Sequence, residues 1–98
     1  MLWCIGWLPL TTFVIMHYVY VLKSSKDRGY YIGKTNDLRR RFKEHNDGEN
    51  KSTRHRRPFS PVYYEAYRDR KDADIRERKL KQFKNSYKEL IKRIEYSK

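Results

Sequence analysis

The sequence predicts an α/β domain of the α+β type, with elements in the order β-β-α-β-α-α. Three observations lead there. Three short runs rich in β-branched and aromatic residues are each bounded by turn chemistry. Polar, charged stretches with apolar residues at spacings of three and four lie between and after them. The chain has 98 residues, so it can hold one modest core and no second domain of similar size.

The first strand is His17-Tyr18-Val19-Tyr20-Val21-Leu22. Residues 24–29 (SSKDRG) are turn residues, with Gly29 able to take a positive φ, and Tyr30-Tyr31-Ile32-Gly33-Lys34 returns as an antiparallel partner. Asp37 is placed to cap a helix with Leu38 and Phe42 on its apolar side, and Asn46-Asp47-Gly48 is placed to end it. Residues 49–60 are polar and basic and contain Pro58, which predicts loop or a short helix. The third strand is Val62-Tyr63-Tyr64-Glu65-Ala66-Tyr67. A helix over 70–83 follows, capped at Asp69 or Asp72. Ser86-Tyr87-Lys88-Glu89 matches a capping box and opens a last helix through Ile94.

Charge narrows the function. Lys and Arg number 24 against 12 Asp and Glu, a net +12, which argues against an acidic regulator and points to a polyphosphate partner. With 38% apolar and 15% aromatic residues the chain is expected to fold. Its one cysteine, Cys4, leaves no disulfide framework and no cysteine-based zinc site. The expected setting is reducing and cytoplasmic. Residues 1–22 carry no Lys, Arg, Asp or Glu. Residues 1–15 are read as an apolar extension and 16–98 as the folded domain. The extension lacks the basic start and cleavage site of a signal peptide, and Pro9, Thr11 and Thr12 interrupt it, so membrane association is not expected. A chain beginning at Met16 should keep the fold.

Three features ask for more than packing. Helical spacing puts Leu38, Arg41, Phe42 and His45 on one side, so Arg41 and His45 neighbour each other beside the core stripe. Glu77 falls on the stripe that buries Ala73, Leu80 and Phe83, where a carboxylate needs a partner or a metal. Strand alternation groups Tyr18, Tyr20 and Leu22 on one face, and Tyr31 with Gly33 on one face of the next strand. Gly33 inside a strand suggests a close approach by a ligand or another backbone. Taken singly, each also has a plain packing reading: a snorkelling Arg, an ion-paired Glu, tyrosines in a sheet.

Together these residues resemble the GIY-YIG nuclease family. Tyr18-Val19-Tyr20 stands for the first tripeptide, with Tyr18 and Val19 departing from its Gly and Ile. Tyr31-Ile32-Gly33 matches the second fully, and Lys34 to Asn46 (KTNDLRRRFKEHN) continues the likeness. Arg54 to Glu65 and Asp72 to Leu80 look like the small stand-alone members, and the resemblance covers residues 17–94.

The resemblance implies a three-stranded antiparallel β-sheet flanked by helices, and a phosphodiesterase acting on DNA with one Mg²⁺ or Mn²⁺. It implies that Tyr20 is the general base and that Tyr31 orients the water or phosphate. Arg41 would hold the scissile phosphate, His45 would position or relay protons, and Glu77 would ligate the metal. Arg41, Lys34 and the metal would have to lower the phenol pKa of Tyr20. Further phosphate contacts are expected from Lys34, Arg39, Arg40, Arg54, Arg56 and Arg57. Duplex or branched DNA is the expected partner, RNA stays open, and no small-molecule cofactor is expected. The rival is a nucleic-acid-binding module on the same fold without catalysis.

Overall fold

The computed structural model describes residues 15–98. The expectations for the apolar extension and for Cys4 fall almost wholly outside the described residues. Strand β1 (His17–Ser24) and strand β2 (Tyr30–Thr35) form the hairpin, and β3 (Phe59–Tyr67) pairs with the other side of β1. All three run antiparallel in the order β2-β1-β3. The central strand is flanked on both sides, and its residues Val19 to Leu22 are all buried.

The two faces of the sheet are covered by different helices. Helix α1 (Leu38–Asp47) lies over Tyr20, Leu22 and Phe59, with Tyr31, Leu38 and Phe42 packed against them. Helices α2 (Arg70–Gln82) and α3 (Lys84–Arg93) cover Val19, Val21 and Ile32 through Ala73, Leu80, Leu90 and Ile94. The α+β fold with a three-stranded antiparallel sheet is as expected. Among the described residues no helix is long and apolar enough to cross a membrane.

Local chemistry explains the boundaries. The Asp37 carboxylate accepts from the Arg40 backbone N–H at 3.1 Å, and Gly48 closes α1 at φ +81° in the left-handed region. Asp69 caps α2 through the Lys71 N–H. The positive φ of the hairpin turn falls on Arg28 (62°), not Gly29. There the buried Ser24 hydroxyl accepts the Lys26 and Asp27 N–H groups and fixes the turn. Two expectations need correction. The third strand starts at Phe59 rather than Val62. It passes through Pro61 because β3 is an edge strand and its register with β1 shifts between Val21 and Leu22, where a missing N–H does no harm. The Ser86–Glu89 box does not open the last helix. Phe83, extended at φ −111° and ψ 112°, separates the two helices alone, so α3 already begins at Lys84 without a side-chain cap.

Two contacts beyond the reach of local rules fix the helices. The Asn46 side-chain amide donates to the Phe59 carbonyl (3.1 Å) and accepts its N–H (2.7 Å), clamping the end of α1 to the start of β3. Arg76 meets both carboxylate oxygens of Glu65 at 3.0 Å, while Tyr63 and Tyr67 donate to the same carboxylate. That network pins α2 to β3 one residue before Glu77.

Candidate active site

Tyr20 reaches its position because Gly33, directly across the strand pair, has no side chain. A Cβ built on Gly33 would lie 2.3 Å from the Tyr20 Oη and 2.4 Å from its Cζ. The close approach expected at Gly33 is therefore made by a neighbouring tyrosine, not by a ligand or backbone. The phenol then runs 2.9 Å from Nε2 of His45, which α1 carries beneath it. His45 is fully buried, and its Nδ1 meets the Thr53 hydroxyl at 2.9 Å. Both ring nitrogens are thus engaged, and His45 is not free to ligate a metal. The Tyr31 ring stacks edgewise on His45 at 4.9 Å between centroids and lies 6.3 Å from that of Tyr20.

Arg41, one turn before His45 on α1, is half-buried, and its Nη1 donates to Glu44 at 3.0 Å. Glu77 comes from α2, on the other layer, at the β2 edge. Its carboxylate is one-fifth exposed, pairs with Lys81 at 3.2 Å, and lies close enough for its charge to act on the Tyr20 phenol. The Lys81 ammonium sits 5.8 Å from the Tyr31 ring centroid. Tyr20, Tyr31 and His45 pack directly on one another, and Arg41 and Glu77 lie near enough for their charges to act on the Tyr20 phenol, so four elements contribute to the cluster.

The electrostatics follow from burial. Desolvation pushes the Tyr20 phenol up to about 12, with the Arg41 guanidinium opposing it. Lys34 does not help, contrary to the sequence-based expectation. It projects from the face opposite Gly33 and Tyr31 and is paired with Asp74 of α2. Burial, reinforced by the Arg41 charge, pulls His45 down to about 4, so its imidazole is neutral. A neutral ring has one donor and one acceptor nitrogen, which meet the Tyr20 hydroxyl at Nε2 and the Thr53 hydroxyl at Nδ1.

The folded pKa of His45 is depressed, so its contribution to stability is fully present above the unfolded value of 6.5. It is lost as pH falls from 6.5 toward about 4. The loss is at most about 3 kcal/mol. Thermal melts across that window should show a declining midpoint in the wild type and a flatter profile in His45→Gln. Equal slopes would mean the histidine is not held neutral.

The remaining basic residues are differently employed. Arg39 and Arg40 stand exposed on α1, Arg40 near Glu44. Arg54 and Arg57 are exposed beside the short 3-10 turn Arg54–Arg56. Arg56 is not available in the same way. It pairs with Asp27 at 2.5 Å, donates to the Tyr30 carbonyl and lies 5.7 Å from the Phe59 ring, so it braces the hairpin. Sequence reasoning did not find Thr53, Glu44 or Lys81. The spacing of Arg41 to Glu44 and of Glu77 to Lys81 could have suggested the latter two; nothing local marked Thr53.

Among the described residues no three or more His, Cys, Asp or Glu side chains group to form a metal cage. Of the five residues, only Glu77 carries a carboxylate; the neighbouring Glu44 carboxylate is engaged by Arg41. A single carboxylate suits a hard divalent cation which keeps most of its water and takes oxygen ligands from a phosphate.

Residues 16–90 match the GIY-YIG catalytic domain. The chain is 42% identical to the UPF0213 protein of Clostridium perfringens, over 74% of this chain and 78% of that one. It is 40% identical to the UPF0213 protein of Halobacterium salinarum, over 78% of this chain and 99% of that one. A solution NMR structure of a UPF0213 protein from Bacillus halodurans is 37% identical, with a TM-score of 0.49 over 79% of this chain and 82% of that chain.

Proposed function

Because this chain belongs to the GIY-YIG family, a family of nucleases, we propose that it is a metal-dependent DNA endonuclease of low sequence specificity, acting in DNA repair or turnover. The observation that carries this reading is the convergence of Tyr20, Tyr31, Arg41, His45 and Glu77. They come from four elements on both layers of the fold.

In this reading Arg41 binds the scissile phosphate, exchanging part of its pairing with Glu44 for the substrate anion. Tyr31 hydrogen-bonds the attacking water or a phosphate oxygen. Tyr20 accepts a proton from that water as its own O–H proton passes to Nε2 of His45. The incoming phosphate charge offsets Arg41 and makes His45 a better acceptor than it is in the free protein. Thr53 holds the ring through Nδ1 during the transfer. Glu77 would hold one Mg²⁺ or Mn²⁺, releasing Lys81, and the ion would supply charge stabilisation at the phosphate and the leaving 3′ oxygen.

Affinity rests on phosphate contacts from Arg39, Arg40, Arg54 and Arg57. About five contacts give a log–log salt slope of roughly −4 to −5 on duplex DNA. A flat slope would remove the backbone-binding account. The pairing of Glu77 with Lys81 favours the rival, a binding module without catalysis. Nicking of supercoiled plasmid with and without Mg²⁺ decides: magnesium-dependent nicking, lost in Arg41→Ala, supports the enzyme. Salt-dependent binding without nicking of supercoiled, linear or branched DNA, or of RNA, establishes the binder.

A further inference from the structure

The outer edge of β2 carries a second feature. The Tyr31 ring faces the cluster with Tyr20 and His45, and it also helps line a hollow of about 450 Å³. Tyr30, Phe83 and Tyr87 add three more aromatic rings to that lining, and Lys81 and Lys84 add two ammonium groups. Phe83 is the unusual member. It is the single extended residue between α2 and α3, and it stands 57% exposed rather than in the core where the helical stripe placed it. A second hollow of about 530 Å³ shares Phe83 and Lys84 and adds Lys79, so the ring stands between two concavities. Among the described residues no carboxylate lines either one.

We infer that the hollow beside Tyr31 takes an unpaired nucleobase next to the scissile phosphate, with Phe83 as its stacking face and Lys81 and Lys84 on the flanking phosphates. The preferred substrate then carries unpaired nucleotides at the cleavage position. The volume lies in the range of small-molecule sites. Aromatic faces combined with lysines are what single-stranded nucleic acid needs, because every base has a π-face and every linkage a charge. β2 is an edge strand, so alternate backbone N–H and C=O groups point away from β1 and can meet the polar edge of a base. A fully paired duplex cannot offer that base without unstacking it, which costs free energy that a gap, flap or bubble has already spent.

The cleavage part of this inference rests on the nuclease reading, whereas the binding part does not. The test uses one labelled sequence as a perfect duplex and with a short unpaired stretch. Affinity is measured by anisotropy without metal, and cleavage with Mg²⁺. The unpaired substrate should be bound and cut roughly tenfold better than the duplex. Phe83→Ala should bring that ratio near one and weaken single-strand binding roughly five- to hundredfold, while Phe83→Tyr retains both. If Phe83→Ala melts early, Phe83→Leu keeps apolar bulk without a ring face and gives the same reading. Equal handling of both substrates by the wild type overturns the subsite. So does a preference that persists in Phe83→Ala and Phe83→Leu. Phe83-dependent binding without cleavage of any substrate leaves the subsite standing and overturns the nuclease reading alone.

Discussion

Glu77→Gln should leave a folded, DNA-binding protein that cleaves at least ~100-fold more slowly, a loss of ~3 kcal/mol in transition-state stabilisation. Glutamine keeps the shape of the side chain but removes the charge that a hard cation requires of a lone carboxylate. The stability cost should be small. The ion pair lost is the one with Lys81, whose side chain is 47% exposed, and such pairs contribute about 1 kcal/mol or less. Binding measured without metal should change little, because the phosphate contacts come from other side chains. A purely structural Glu77 predicts the reverse: a lowered melting temperature with an unchanged rate per folded molecule. Nicking rate, Mg²⁺ dependence and melting temperature, measured on one preparation, separate the two. Full activity in a well-folded Glu77→Gln protein removes the metal-ligand assignment.

Gly33→Ala should be the most damaging single-methyl change in the sheet. The backbone at Gly33 is not left-handed, so alanine meets no conformational objection there. The objection is space, since the added Cβ would sit 2.3 Å from the Tyr20 hydroxyl. That hydroxyl is the end of a buried ring fastened to His45, so it cannot swing aside without breaking a buried hydrogen bond. Overpacking of this kind costs about 1–3 kcal/mol. Displacing the phenol by about 1 Å should also cost on the order of 100-fold in cleavage. Gly29→Ala is the control. There a Cβ meets only the ends of the Arg56 and Asp27 side chains at 3.0 and 3.1 Å, and both can give slightly. A Gly33→Ala protein with wild-type melting temperature and nicking rate would mean that Tyr20 adapts freely and that the fit between these two residues is incidental.

Much of this arrangement was legible before any coordinates. The caps at Asp37, Gly48 and Asp69 act through hydrogen bonds or φ angles within a few residues, and the sequence displays those directly. Strand alternation grouped Tyr31 with Gly33, which the strand register bears out. Helical spacing placed Arg41 beside His45. The family resemblance then joined Tyr20, Tyr31, Arg41, His45 and Glu77 into one site, which no periodicity could have done, because they lie on four elements.

Other features depend on contacts between distant segments, and local rules misread them. Ser86 and Glu89 satisfy the pattern of a capping box, yet Phe83 had already set the start of the helix through its extended backbone. Arg56 counted as a surface cation until the hairpin turn placed Asp27 and the Tyr30 carbonyl beside it. The tyrosine proposed as a base sits in a buried, ring-lined position where desolvation outweighs the nearby guanidinium, so its phenol rises rather than falls.

By itself, then, the sequence determined the element order, the two-faced alternation of the strands, the caps of the first two helices, the basic surface and the identities of the clustered residues. These are properties of single residues and of spacings shorter than a helical turn or a strand pair. Only the tertiary structure decided the fit of Tyr20 over Gly33, the engagement of both His45 nitrogens, the diversion of Lys34 and Arg56 into ion pairs, and the exposure of Phe83 beside Tyr31. Each of those depends on strand register or helix docking, which brings together residues from 8 to 52 positions apart in the chain, and whether a buried group is satisfied or an aromatic ring is covered depends on neighbours that no local spacing specifies.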